Sequence, residues 1–143
     1  MVDTPNRILA IDPGTKRIGL AVSDPLGITA QGLPSIQVET PEQALKALLR
    51  LAGEYEVAEF VVGWPLNMDG SRGAQAGSAE ALAGELRASG FKVKMWDERL
   101  TSAQAEGVLL SADVGRKKRK QITDKLAAQI LLQSYLDSRP NPS

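Results

Sequence analysis

The sequence predicts an α/β fold: a mixed five-stranded sheet, antiparallel over its first three strands, extended in parallel by crossovers, with helices on both faces. Three observations carry this reading. Residues 7–12 (RILAID) and 17–23 (RIGLAVS) are short apolar runs joined by Pro13-Gly14, as in a tight hairpin. Beyond residue 40, apolar residues at helical spacing alternate with short strand-like runs, the pattern of parallel strands joined by helices. At 143 residues with 43% apolar content, the chain has the material for one core.

Each element has its own signal. Pro13-Gly14 suits the central positions of a type II turn between the first two strands. Residues 28–38 (ITAQGLPSIQV) form a weaker third strand, irregular near Gly32–Pro34. Thr40-Pro41-Glu42 supplies a cap, a proline in the first turn and an acid, so a helix starts there. It runs to about Tyr55, with Leu45, Leu48, Leu49 and Ala52 on one face. Residues 59–63 (EFVVG) are a buried strand, and WPLNMDGSRG is a loop by composition. Residues 74–89 are alanine-rich and helical, and 91–96 (FKVKMW) alternate like a strand with one wet face. Thr101 or Ser102 caps a helix to about Leu110; a basic loop follows, and the last helix runs from about Gln121 to Leu136. The expectation is one domain over residues 1–137 with a tail at 138–143.

Composition excludes whole classes of chemistry. There is no cysteine and no histidine. Disulfides, thiolate or imidazole metal sites, Ser-His-Asp triads and Cys-His pairs are therefore excluded. What remains is carboxylate, hydroxyl, lysine and arginine chemistry, or a metal held by oxygen. The N-terminal MVDTPNR lacks a signal-peptide pattern and no run reaches membrane-spanning length, so a cytoplasmic protein without membrane contact is expected. Net charge is zero, but residues 1–71 hold five basic and nine acidic side chains, whereas 72–143 hold twelve and eight. Five of the basic ones are consecutive: Arg116, Lys117, Lys118, Arg119 and Lys120. A polyanion responds to such a local field rather than to the net charge.

The acids fall at telling positions. Asp12 ends the first strand on the face of Ile8 and Ala10; Asp97 and Glu98 end the last strand. Asp124 lies early in the final helix, where Ala127, Ala128, Leu131 and Tyr135 fall within about 60° of it on the wheel. Ile122, Leu126 and Ile130 make a second apolar stripe, so the wheel leaves open which side meets the sheet. Converging carboxylates repel one another unless a cation joins them. Mg²⁺ or Mn²⁺ suits an all-oxygen site, and two such ions about 4 Å apart are a known device for cutting phosphodiesters. Each acid also has a structural reading: Asp12 as the start of an Asx turn, Asp97 and Glu98 as strand-end partners of Arg99, Asp124 as a first-turn helix acid.

Four stretches taken together resemble one family. IDPGTKRIGLAVSD (11–24), VVGWPLNMDGSRG (61–73), DERLTSAQAE (97–106) and KKRKQITDKLAAQILLQSYL (117–136) are similar, in this order, to the YqgF/RuvX family. These are relatives of RuvC-type resolvases on the RNase H-like fold. The resemblance spans nearly the whole chain. It implies a divalent-metal-dependent nuclease acting on structured nucleic acid: processing of the 5′ end of pre-16S rRNA, or alternatively resolution of Holliday junctions in branched DNA. A reading of another class is a catalytically silent protein that binds RNA or a partner. The first motif also looks like the phosphate-binding hairpin of actin-like ATPases and sugar kinases, but those need two such domains.

Carried over by motif, the resemblance implies Asp12, Glu98 and Asp124 as catalytic and metal-holding acids. Alternation along 91–98 instead sets Asp97 with Phe91, Val93 and Met95, and Glu98 with Lys92, Lys94 and Trp96, which makes Asp97 the more inward-looking acid; it stands second to the Glu98 that the motif implies. Lys125 stands where the family often has a small residue. Lys16, Arg17, Arg72, Arg99 and Arg116 to Lys120 are the expected nucleic-acid contacts. A homodimer and ribosomal or rRNA-processing factors are further expected partners.

Overall fold

The computed structural model describes residues 7–14, 16–65, 69–97 and 116–139, with side chains of the last segment described from residue 126. In chain order come β1 (Arg7–Pro13), β2 (Arg17–Ser23), β3 (Ala30–Gln37), α1 (Pro41–Glu54), β4 (Val57–Trp64), α2 (Ala74–Ala88), β5 (Lys92–Asp97) and α3 (Arg116–Ser138). The sheet order is β3-β2-β1-β4-β5. The pairs β1–β2 and β2–β3 are antiparallel; β1–β4 and β4–β5 are parallel. The expected sheet is therefore present. The helix expected over 101–110 lies outside the described residues.

Central β1 must be buried on both faces, and its uninterrupted Ile8-Leu9-Ala10-Ile11 run is that signature. Leu9 and Ile11 join Leu20, Val62, Leu48 of α1 and Ala83 of α2 in the core on one face. Ile8 and Ala10 join Ala21, Val61, Ala128, Leu131 and Leu132 on the other, beneath α3. The one buried polar side chain among the described residues, Ser23, accepts the Ile8 N–H at 2.9 Å, so burial leaves it satisfied.

α1 begins as its sequence dictates. Thr40 Oγ1 accepts the Gln43 N–H at 3.2 Å, Pro41 follows, and Gln43 Oε1 accepts the Glu39 N–H at 2.9 Å. Its most buried residues are Ala44, Leu48 and Ala52, one turn apart, with Leu45 and Leu49 half-buried beside them.

Two expectations need correction. Gly14 is not in the left-handed region, so Pro13-Gly14 does not form a type II turn. The glycine is needed for a steric reason: a Cβ there would stand 2.5 Å from the Arg17 carbonyl oxygen. The basic run 116–120 is not a loop either. It forms the first residues of α3, which starts five residues before Gln121. Cations at a helix N-terminus are opposed by the macrodipole, yet the helix includes them.

α3 lies over β2, β3 and β1, with β4 at its margin. The stripe of Ala127, Ala128, Leu131 and Tyr135 is the side that meets the sheet; Leu126 and Ile130 are half-buried. Gln129 Nε2 donates to the Ala30 carbonyl at 3.2 Å, and Gln133 Oε1 accepts the Ala30 N–H at 3.0 Å. The Tyr135 hydroxyl donates to Glu59 on β4. Burial first, then the Glu59 hydrogen bond and charge, push the Tyr135 phenol up to about 12, against a small opposing effect of Arg139.

Two outcomes follow. Leu131→Ala removes a fully buried side chain from the α3 seam and is expected to cost about 2–5 kcal/mol in urea unfolding, with unchanged m. Tyr135 keeps its proton longer folded than unfolded, so its contribution is full below pH 10 and is lost as pH rises towards about 12. Stability of the parent chain should therefore fall more steeply over that window than that of Tyr135→Phe.

Candidate active site

Strand alternation and register decide which side chains share a face with Asp12. On β2, Asp12 pairs with Gly19. On β4, one step beyond the Ile11–Val62 pair, it stands beside Gly63, which pairs with Trp96 on β5. Gly19, Asp12, Gly63 and Trp96 thus form one row across four strands, on the α3 face. Asp12 is half-buried and both flanking glycines are buried. A carboxylate with no side chain on either neighbouring strand has free space at the sheet surface, which a larger residue would fill.

The same parity places Arg17 on this face, two residues before Gly19 on β2. Lys16 is exposed at the turn. Asp97 pairs with Trp64 and shares parity with Val93 and Met95, which pack into the α1/α2 core. Its parity is therefore that of the face opposite Asp12. Glu98 and Arg99 lie outside the described residues. Asp124 is in α3, one turn before Ala127 and Ala128, which seat the helix on the Asp12 face. Its side chain and those of Arg116 to Lys120 lie outside the described ones. Among the described residues no group of three acidic side chains could hold a metal ion.

Arg72 is not brought to Asp12. It packs against α2 instead. Its Nε donates to Glu80 Oε2 at 2.7 Å and its Nη2 to Glu80 Oε1, while Trp64 Nε1 donates to Glu80 Oε2 at 2.9 Å. The Arg72 hydrogen bond holds the Glu80 carboxyl below the ordinary glutamate range, and Glu80 in turn raises Arg72. This three-residue bridge was not read from the sequence. The spacing of 64, 72 and 80 carries no periodic signal, because the loop between β4 and α2 sets it.

A cavity of about 580 Å³ lies between α1, α2 and the Pro13-Gly14 turn. Glu39, Glu42 and Glu85 line it, and no lysine or arginine does. Among the described residues no helix is long and apolar enough to cross a membrane.

Comparison with known proteins now adds to this geometry. A family model described as "RuvX: Holliday junction resolvase" matches residues 6–138. A Geobacillus kaustophilus protein named "Putative pre-16S rRNA nuclease" is 49% identical over 136 residues, covering 93% of this chain and 99% of its own. A Listeria monocytogenes protein of the same name is 48% identical over 135 residues, covering 92% and 98%. Among solved structures, the fowlpox virus resolvase with its Holliday junction DNA aligns with TM-score 0.54 at 16% identity, over 92% of this chain and 97% of that one. Thermus thermophilus RuvC aligns with TM-score 0.50 at 14% identity, over 92% and 97%. At such identities the structural likeness shows the fold, which is the RNase H-like one the sequence led us to expect.

Glu80→Ala removes the acceptor shared by Trp64 and Arg72. In a Trp96→Phe background, acrylamide quenching of the remaining indole should rise. Glu80 is depressed, so the bridge holds above the ordinary glutamate range and fails as pH falls below it; quenching of the parent should rise there too. Unchanged quenching in both cases would show that the bridge does not hold the loop.

Proposed function

The chain belongs to the RuvX family, a family of nucleases, and on that premise we propose that it is a divalent-metal-dependent nuclease that hydrolyses phosphodiester bonds in structured nucleic acid, at the 5′ end of pre-16S rRNA. The observation that carries the reading is the row Gly19–Asp12–Gly63: a carboxylate at the end of the central strand, left room on both sides. The near-full-length relatives support the rRNA substrate by their name. The description of the family model favours a second reading, cleavage of Holliday junctions.

Asp12, Glu98 and Asp124 would hold Mg²⁺ or Mn²⁺. The residues fit such an ion: the donors are all carboxylate oxygens and the glycines leave it space. Bound there, a pair of such ions would supply an activated water and stabilise the leaving oxygen. Of the two candidate acids at 97 and 98, the parity of Asp97 argues against it and leaves Glu98, the acid the family motif implies. Asp97 has the parity of the α1/α2 side, opposite Trp96 and Asp12. Asp124 comes from α3, whose seating over β1 and β2 brings that helix to the same face. Arg17 would meet phosphate beside Asp12, with Lys16 at the turn, Arg99 after Glu98, and Arg116 to Lys120 entering α3. Arg72 contributes only if it leaves Glu80. The products would be a 5′ phosphate and a 3′ hydroxyl.

The test is cleavage of labelled pre-16S-like RNA, unstructured RNA and a four-way DNA junction with Mn²⁺ or with EDTA. Cutting should need the metal, fall to the no-protein level in Asp12→Asn and Glu98→Gln, and survive in Asp97→Asn. Preference for the junction would select the second reading. Cutting that persists in Asp12→Asn would sink the site.

A further inference from the structure

Among the described residues, β5 is an edge strand with one side that no helix covers. Its Val93 and Met95 pack into the α1/α2 core. Lys92, Lys94 and Trp96 have the opposite parity, towards the α3 side. α3 covers β1, β2 and β3 there, and its contact with β5 is Tyr135 edge-on to Trp96, ring centroids 5.5 Å apart at 79°. Beyond the helix flank, Lys92 and Lys94 are exposed. Among the described residues neither makes an ion pair. The three positions repeat every second residue, about 6.6 Å apart by strand geometry. That is comparable to the step between consecutive phosphates along one strand. The series ends at Trp96, in the Asp12 row, about 10 Å away across Gly63, by the usual strand spacing.

We propose that Lys92, Lys94 and Trp96 form a nucleic-acid track on the uncovered side of β5, which holds the strand leading to Asp12. The two lysines bind successive phosphates. The half-buried Trp96, fixed by Tyr135, meets the sugar or base nearest Asp12. α3 walls the track on one side, and Gly63 keeps the path open between Trp96 and Asp12. The inference rests on the nuclease reading and adds the strand-binding surface to it. Lys92 and Lys94 fall in none of the four motifs that carry the family resemblance.

The experiment is fluorescence-anisotropy titration of a labelled single-stranded RNA, at several salt concentrations, in an Asp12→Asn background that prevents cutting. Lys92→Gln/Lys94→Gln should lower affinity roughly tenfold at low salt and reduce the salt slope by about 1.4, the counterions of two phosphate contacts on a single strand. Lys46→Gln, an exposed lysine on α1 across the sheet, should change neither. In a Trp64→Phe background, Trp96 emission should be quenched on binding. Unchanged affinity and slope in the double variant, with the parent binding normally, would overturn the track and leave the nuclease reading intact. A parent chain that binds no strand would overturn both. Circular-dichroism melts of the variants guard against a folding defect, which neither exposed lysine should cause.

Discussion

The close seating of α3 on a floor of small residues is the constraint on which the remaining architecture depends. Ala10, Ala21 and Ala30 bring the sheet surface near the helix, and Ala127 and Ala128 bring the helix near the sheet. A large side chain at any of these positions would lift α3 and open the second core. Polar anchors then fix its direction: Gln129 and Gln133 both bond the backbone of Ala30, and Tyr135 bonds Glu59. An amide that satisfies an edge-strand backbone group serves twice. It ties the helix down and occupies part of the β3 edge, which would otherwise invite pairing with another chain.

The same small-residue logic reaches the candidate site. Gly19 and Gly63 add nothing to the apolar core, and glycine inside a strand weakens it. Their position on either side of Asp12 gives the cost a purpose. A strand-end carboxylate between valines would have to shed water without gaining a partner. Between glycines it keeps access to solvent or to a cation. The cations nearby are arranged unequally: Arg17 shares the Asp12 face, whereas Arg72 is engaged by Glu80 beside Trp64.

The mixed sheet, the α1 cap and the apolar run of β1 were legible because they rest on periodicity, element succession or capping chemistry, whereas the order of the strands was not. Nor was the side on which α3 packs. Two apolar stripes compete on that helix, and only the sheet beneath it decides between them. The Asp97–Glu98 conflict had a similar cause. Periodicity correctly puts Asp97 with Val93 and Met95, but an inward-looking position need not face the site. A mixed sheet has two inner faces, and Asp97 has the parity of the one carrying α1 and α2. Arg72 was read as a phosphate contact because nothing in sequence announces a partner eight residues away across a loop. The start of α3 was not legible because a run of five cations reads as a solvated loop, and the opposing helix dipole is worth only fractions of a kcal/mol.

Division of labour between the two faces also explains why the α1/α2 cavity is not the place for a polyanion. The cavity between α1 and α2 touches Pro13 and Gly14, next in sequence to Asp12, yet alternation sends Asp12 to the other side of the sheet. Among the described residues its charged lining is Glu39, Glu42 and Glu85, a field that repels phosphate. On the opposite face, Arg17, Lys92 and Lys94 are the described cations with the parity of Asp12. A chain with no net charge can thus still present a directed field. One strand, β1, separates an acidic cavity from a carboxylate with cations on its own side, and a single residue step from Asp12 to Pro13 crosses between them.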